Sequence, residues 1–209
     1  MPLCYNNPHR TIPILFLALL LALPVTGQAG SPDQREQLNT KPGSYRTELA
    51  LGSGYMWGSL KRTEQDLTGI PAFVRIGFNM NPLFDIEGNS SSLQCTVEPF
   101  VNTTLTPQTG AESGCGLGLR YLHTLTRPIE IYTEASIAPM YFSIDTLEQG
   151  HSGFNFLMHI GAGLQYRVSP DMGIFTGYRF RHLSHGNIAD RPNVGIESSA
   201  IVAGVAWYY

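Results

Sequence analysis

From residue 45 to the C-terminus, apolar and polar positions alternate with a period of two, and turn-forming residues break the alternation into eight segments. In the first, Thr47, Leu49 and Leu51 fall opposite Arg46, Glu48 and Ala50. In the second, Ala72, Val74, Ile76 and Phe78 oppose Phe73, Arg75, Gly77 and Asn79. The third sets Leu93, Val97 and Val101 against Gln94, Thr96, Glu98 and Asn102, and the fourth Leu117, Leu119 and Tyr121 against Gly116, Gly118 and Arg120. The fifth sets Ile129, Ile131, Ala135 and Ile137 against Glu130, Tyr132, Glu134 and Ser136. The sixth runs Phe156, Met158, Ile160, Ala162, Leu164 and Tyr166 against Asn155, His159, Gly161, Gly163 and Gln165. The seventh sets Ile174, Thr176, Tyr178 and Phe180 against Gly177, Arg179 and Arg181, and the eighth Ile201, Val205, Trp207 and Tyr209 against Ala200, Gly204 and Ala206.

Period-two alternation with one apolar face predicts strands with two different environments. A soluble sandwich would bury the apolar face and wet the other. Here the second face is crowded with Gly, Arg and Glu, which suit a narrow lumen where opposite charges neutralise each other. The expectation is an all-β, eight-stranded antiparallel transmembrane β-barrel over residues 45–209, with the terminal Trp207-Tyr208-Tyr209 as girdle residues. Residues 124–127 and 169–171 read as short periplasmic turns, and 60–68, 103–112, 142–152 and 185–194 as longer outer loops. The connection over 81–92 is long for a periplasmic turn.

Ahead of the alternation, Arg10 precedes the apolar run at 12–23, and Gly27-Gln28-Ala29 offers small residues for a signal peptidase. Residues 1–29 therefore read as a signal peptide and 30–44 as a flexible leader. The apolar run is shorter than the ~20 residues of a membrane-spanning helix, so a membrane location requires a barrel. Of the three cysteines, Cys4 leaves with the signal. Cys95 and Cys115 remain in a compartment that permits oxidation, and whether they pair is left open. A net charge of −3, with no Lys/Arg-rich run, argues against nucleic-acid binding.

The densest polar cluster is 178–187, followed by 192–198. His182 and Ser184 share the face that carries Tyr178 and Phe180, the face expected to meet lipid. Glu197 shares parity with Ile201 and Val205. If the last two strands pair around Ala189 and Asp190, His182 lies opposite Glu197, with Cβ atoms about 5 Å apart. An imidazole can take the proton that makes a serine hydroxyl nucleophilic, and a carboxylate orients the imidazole and stabilises its charged form. A polar rim would also explain three such residues. His159 reads as a packed lumen residue, His123 as a turn neighbour, His151 as a loop residue, and His185 as adjacent to the cluster with its parity broken by the loop. This chemistry needs no cofactor and no metal.

The stretches 161–166, 178–184 and 193–197, with the elements His182-x-Ser184 and Asn193-x-Gly195-x-Glu197, resemble the lipid A 3-O-deacylase (PagL) family, and Glu98-Pro99-Phe100 adds to the likeness. The resemblance is strongest over about the last 55 residues. It implies an outer-membrane esterase that releases the ester-linked 3-hydroxyacyl chain from lipid A of lipopolysaccharide, with its site at the extracellular rim. It makes Ser184 the nucleophile, His182 the general base and acid, and Glu197 the orienting carboxylate. The family places an asparagine directly after the serine. This chain has His185-Gly186-Asn187 there, so Asn187 or a backbone N–H near Gly186 takes the oxyanion role, and Asn193 supports it. The alternatives are a non-enzymatic structural or adhesive barrel and a phospholipase on the same wall. Assembly into a homodimer is left open.

Overall fold

The computed structural model describes residues 47–86 and 90–209. The expected signal peptide and leader, 1–44, lie outside the described residues. Nine strands are present among the described residues: β1 (Thr47–Ser59), β2 (Asp66–Ile70), β3 (Ala72–Asn79), β4 (Ser91–Thr106), β5 (Gly110–Thr126), β6 (Ile129–Phe142), β7 (Gly153–Ser169), β8 (Met172–Ser184) and β9 (Ile196–Tyr208). A 3₁₀ turn, Asn81–Leu83, follows β3. Each strand pairs antiparallel with the next strand position, and the sheet closes where β1 meets β9 from Glu48↔Tyr208 to Gly58↔Ser198.

Nine labels occupy eight positions. β2 and β3 both pair with β1 and with β4, one above the other, and the break between them is Pro71. Proline has no N–H to give to a ladder, so the strand is interrupted without turning. Ser53 Oγ donates to the Pro71 carbonyl at 2.8 Å and bridges the gap. The expected outer loop at 60–68 therefore shortens to the turn at 60–65, with 66–68 in β2. The loop expected at 103–112 shrinks likewise to 107–109, because β4 and β5 continue past the point where alternation fades in the sequence. Ladder pairing from Asn102↔Glu112 to Thr104↔Gly110 compensates for the polar, threonine-rich composition there.

The alternation places the apolar face of each strand on the outside. Leu51, Phe78, Leu117, Leu119, Ile137, Ile160, Leu164, Ile174 and Ile201 are exposed on the outer wall. Their strand neighbours Glu48, Arg75, Arg120, Glu134, Arg179 and Arg181 are buried inside. An apolar outer wall around a paired, charged interior inverts the soluble-protein pattern, and in a closed barrel it is the mark of a membrane span. Tyr208 departs from the girdle expectation. It turns inward and is buried, with the Arg167 guanidinium stacked 3.7 Å from its ring centroid.

The lumen is filled rather than open. Arg179 donates two hydrogen bonds to Glu98, at 2.7 and 2.8 Å, and one to Glu134 at 2.7 Å. Arg75 and Arg120 both donate to Glu48, and Gln165 links Arg120 to Glu130. Arg181 pairs with Glu112 one level up, and Asn102 donates to the same carboxylate. Glycines make room for the larger side chains. A Cβ on Gly177 would sit 2.1 Å from the Tyr132 hydroxyl, and one on Gly163 would sit 2.5 Å from it. His159 is buried in the lumen, with Nδ1 3.0 Å from Ser136 Oγ. What remains is a narrow internal cavity between Phe73, Glu98, His159 and Arg181.

Candidate active site on the outer wall

The β8–β9 hairpin carries the polar cluster. Its register runs from Met172↔Trp207 to Leu183↔Ile196 and pairs His182 directly with Glu197. This is the pairing expected from parity. Ser184 ends β8 two residues beyond His182, on the same face. His182 and Ser184 are half-buried and Glu197 is exposed, whereas Arg181, Leu183, Ile196 and Ser198 between them are buried inside. The imidazole, hydroxyl and carboxylate therefore leave the barrel on one stretch of outer wall, at the end that carries the 185–195 loop. On the other flank of β8, His182 pairs with Met158 and Ser184 with Phe156 of β7.

Gly195 fixes the entry into β9. Its φ of +80° is a left-handed conformation that favours glycine, and a Cβ there would lie 2.7 Å from His182 Cε1. The bare backbone thus lets the imidazole lie against the start of β9, beside Glu197.

The loop after Ser184 is held by its own side chains. His185 turns inward and is fully buried. Its Nε2 lies 3.0 Å from the Pro192 carbonyl, so that nitrogen carries the proton and donates. The His185 backbone N–H donates to Asn193 Oδ1 at 3.1 Å, and Asn193 Nδ2 donates to Asn187 Oδ1 at 3.0 Å. Gly186 and Asn187 are exposed, at φ of +61° and +60°. The residue that sequence reasoning placed merely beside the cluster is thus the anchor of its loop, and the signal that finds it is burial.

Neighbouring loops brace this one. Arg191 donates to the carbonyls of His151 and Phe154. The Val194 N–H donates to the Glu148 carbonyl at 2.9 Å, and the buried Glu148 carboxylate accepts from the Arg62 N–H at 2.8 Å. The turn at 60–65 also delivers a residue that the sequence pattern does not single out. Lys61 Nζ lies 3.2 Å from Glu197 Oε1. Among the described residues no hydrogen bond links His182, Ser184 and Glu197 to one another, and the carboxylate's ion-pair partner is this lysine. Cys95 and Cys115 are free and face outward on β4 and β5. Cys95 pairs across the ladder with Leu119 and Cys115 with Pro99, so their offset separates the two thiols.

A family model described as Lipid A 3-O-deacylase (PagL) matches residues 108–206, just under half of the chain. Over residues 108–206 the chain is similar to that family. The segment runs from the start of β5 almost to the end of β9 and contains His182, Ser184 and Glu197. Among solved structures, the chain is similar to the outer membrane enzyme PagL, with a TM-score of 0.52 and 19% identity over 75% of this chain and 97% of that one. It is equally similar to Neisserial surface protein A, with a TM-score of 0.54 and 17% identity over 78% of this chain and 97% of that one. At such identities the two likenesses establish the fold, that of an outer-membrane β-barrel. No curated protein matches the chain.

Proposed function

We propose that this chain is an outer-membrane serine esterase that removes the ester-linked 3-hydroxyacyl chain at the 3-position of lipid A, with its site at the extracellular rim. The observation that carries the reading is the ladder pair His182↔Glu197 with Ser184 on the same outward face, inside the stretch that matches the PagL family model. In this mechanism Ser184 Oγ attacks the acyl carbonyl while His182 takes its proton. His182 then returns the proton to the departing sugar oxygen. Water, activated by the same imidazole, releases the acyl chain from Ser184. Glu197 orients the imidazole and offsets its charge when it is protonated. The oxyanion forms beside the start of the 185–195 loop, where the Gly186 backbone and the Asn187 amide offer donors, with Asn193 holding Asn187 in place.

The location suits the substrate. A lipid confined to the outer leaflet reaches a site on the outer wall by lateral diffusion, so the filled lumen is no obstacle. Hydrogen bonds among catalytic groups often tighten only when substrate binds, and Lys61 must then yield the Glu197 carboxylate.

The test is the acylation pattern of lipid A in a host lacking this activity, read by mass spectrometry. Wild-type protein should remove one 3-hydroxyacyl chain. Ser184→Ala and His182→Ala should each lower turnover by at least about 10⁴-fold while the barrel still inserts. Full activity in Ser184→Ala would overturn the assignment. The Lys61–Glu197 pair favours a second reading, a barrel without chemistry, in which the three residues are rim polarity. Unchanged lipid A with the wild-type protein folded in the membrane would decide for it, and release from phospholipids instead would reassign the substrate.

A further inference from the structure

The turn between β1 and β2 presents a cation beside the three site residues, and the turn itself is fixed. Leu60 is buried; its N–H donates to the Gln65 carbonyl and its carbonyl accepts from the Glu64 N–H, each at 2.9 Å. On the other side of Lys61, the Arg62 N–H donates to the buried Glu148 carboxylate at 2.8 Å. The backbone is thus tied before and after Lys61, while the side chain itself reaches over the outer wall. Its ammonium meets Glu197 Oε1 at 3.2 Å, and the two side chains are 48% and 46% exposed. An ion pair this exposed contributes little, because water screens it and two long side chains lose freedom in making it. A more highly charged anion therefore displaces the carboxylate from Lys61 at little cost.

The proposed substrate carries such an anion, a phosphate on the same sugar that bears the 3-O ester. A phosphate monoester offers up to two negative charges and three acceptor oxygens to an ammonium, where a carboxylate offers one charge and two oxygens. We infer that Lys61 is a substrate-binding residue that pairs with this phosphate, and that by taking it Lys61 gives up Glu197 to His182. The reach agrees. Ser184 is the diagonal neighbour of Glu197 across the β8–β9 ladder, about 7–8 Å away between Cβ atoms. Six bonds join the ester carbonyl carbon to the phosphorus, and six bonds of an extended chain span up to about 7 Å. An ester held at Ser184 thus brings its phosphate to the place where Glu197 now meets Lys61. This inference rests on the esterase reading.

The test measures KM and kcat of the full-length protein in detergent micelles on two lipid A substrates that differ only in whether that phosphate is present. Lys61→Gln removes the charge and Lys61→Arg keeps it. Arg127→Gln, an exposed residue of the β5–β6 turn at the opposite rim, is the control for net charge. The wild type should show a KM lower by about threefold or more for the phosphorylated substrate, the range for one exposed charge-assisted contact. Lys61→Gln should bring the two KM values together, Lys61→Arg should keep most of the difference, and Arg127→Gln should leave it unchanged. Added salt should shrink the difference in the wild type, since the contact is solvent-exposed. A wild-type KM indifferent to the phosphate, or a difference that survives in Lys61→Gln, would overturn the inference and leave the esterase reading standing. A wild type that cleaves neither substrate would overturn both.

Discussion

Arg179→Met tests whether the lumen holds the barrel together through paired charges. Arg179, Glu98 and Glu134 are all buried, and the guanidinium makes three hydrogen bonds of 2.7 to 2.8 Å to the two carboxylates while lying 4.3 Å from the Phe73 ring centroid. Methionine retains the apolar contact with Phe73 and removes the charge. Glu134 keeps Arg75 at 3.7 Å and Arg120 at 4.0 Å. Glu98 keeps no ion-pair partner among the described residues. Stranding one buried carboxylate in this way costs about 3–5 kcal/mol. Adding Glu98→Gln removes the stranded charge, so the double variant should regain about 2–4 kcal/mol over Arg179→Met alone. Urea unfolding of the barrel in lipid vesicles, followed by tryptophan fluorescence, measures both differences, since Trp57 and Trp207 sit on the outer wall. If Arg179→Met unfolds within about 1 kcal/mol of wild type, or if Glu98→Gln makes it still less stable, the lumen charges are solvated and the argument fails.

Two glycines give sharper local tests. Gly195→Ala forces an L side chain into a left-handed conformation at a cost of about 1–2 kcal/mol and places a methyl against His182 Cε1. Lipid A deacylation should fall at least about tenfold while the variant still folds in vesicles, and unchanged activity would show that the imidazole does not depend on that contact. Gly177→Ala, in the lumen, drives a methyl onto the Tyr132 hydroxyl and should cost about 1–3 kcal/mol in the same urea titration. Pairing it with Tyr132→Phe, which removes the nearest atom, should recover part of that loss.

Much of the barrel was legible in the sequence because alternation is a property of the strand itself. Alternation alone assigns Glu48, Arg75, Arg120 and Arg179 to the lumen, since successive side chains on a pleated backbone must point to opposite faces. The same rule brought His182, Ser184 and Glu197 to one face, and a symmetric hairpin put two of them opposite each other. Strand ends were less legible. The polar tract at 103–106 reads as loop by composition, yet it continues β4 because its partner strand continues, and 66–68 reads as loop although only Pro71 interrupts the ladder. Hydrogen bonding to a neighbour decides these segments, and the neighbour's position lies outside any local window.

Residue order along each strand dictates which side of the wall a side chain occupies, and through that the inverted distribution of charge inside and hydrocarbon outside. Period-two geometry leaves no other choice. Tertiary structure alone decided which residues from distant strands meet. The burial of His185 under its loop, Lys61 brought to Glu197, and the Tyr178 hydroxyl set against Ser199 depend on register, closure and side-chain reach. Those quantities emerge only when all eight strand positions are paired around the ring.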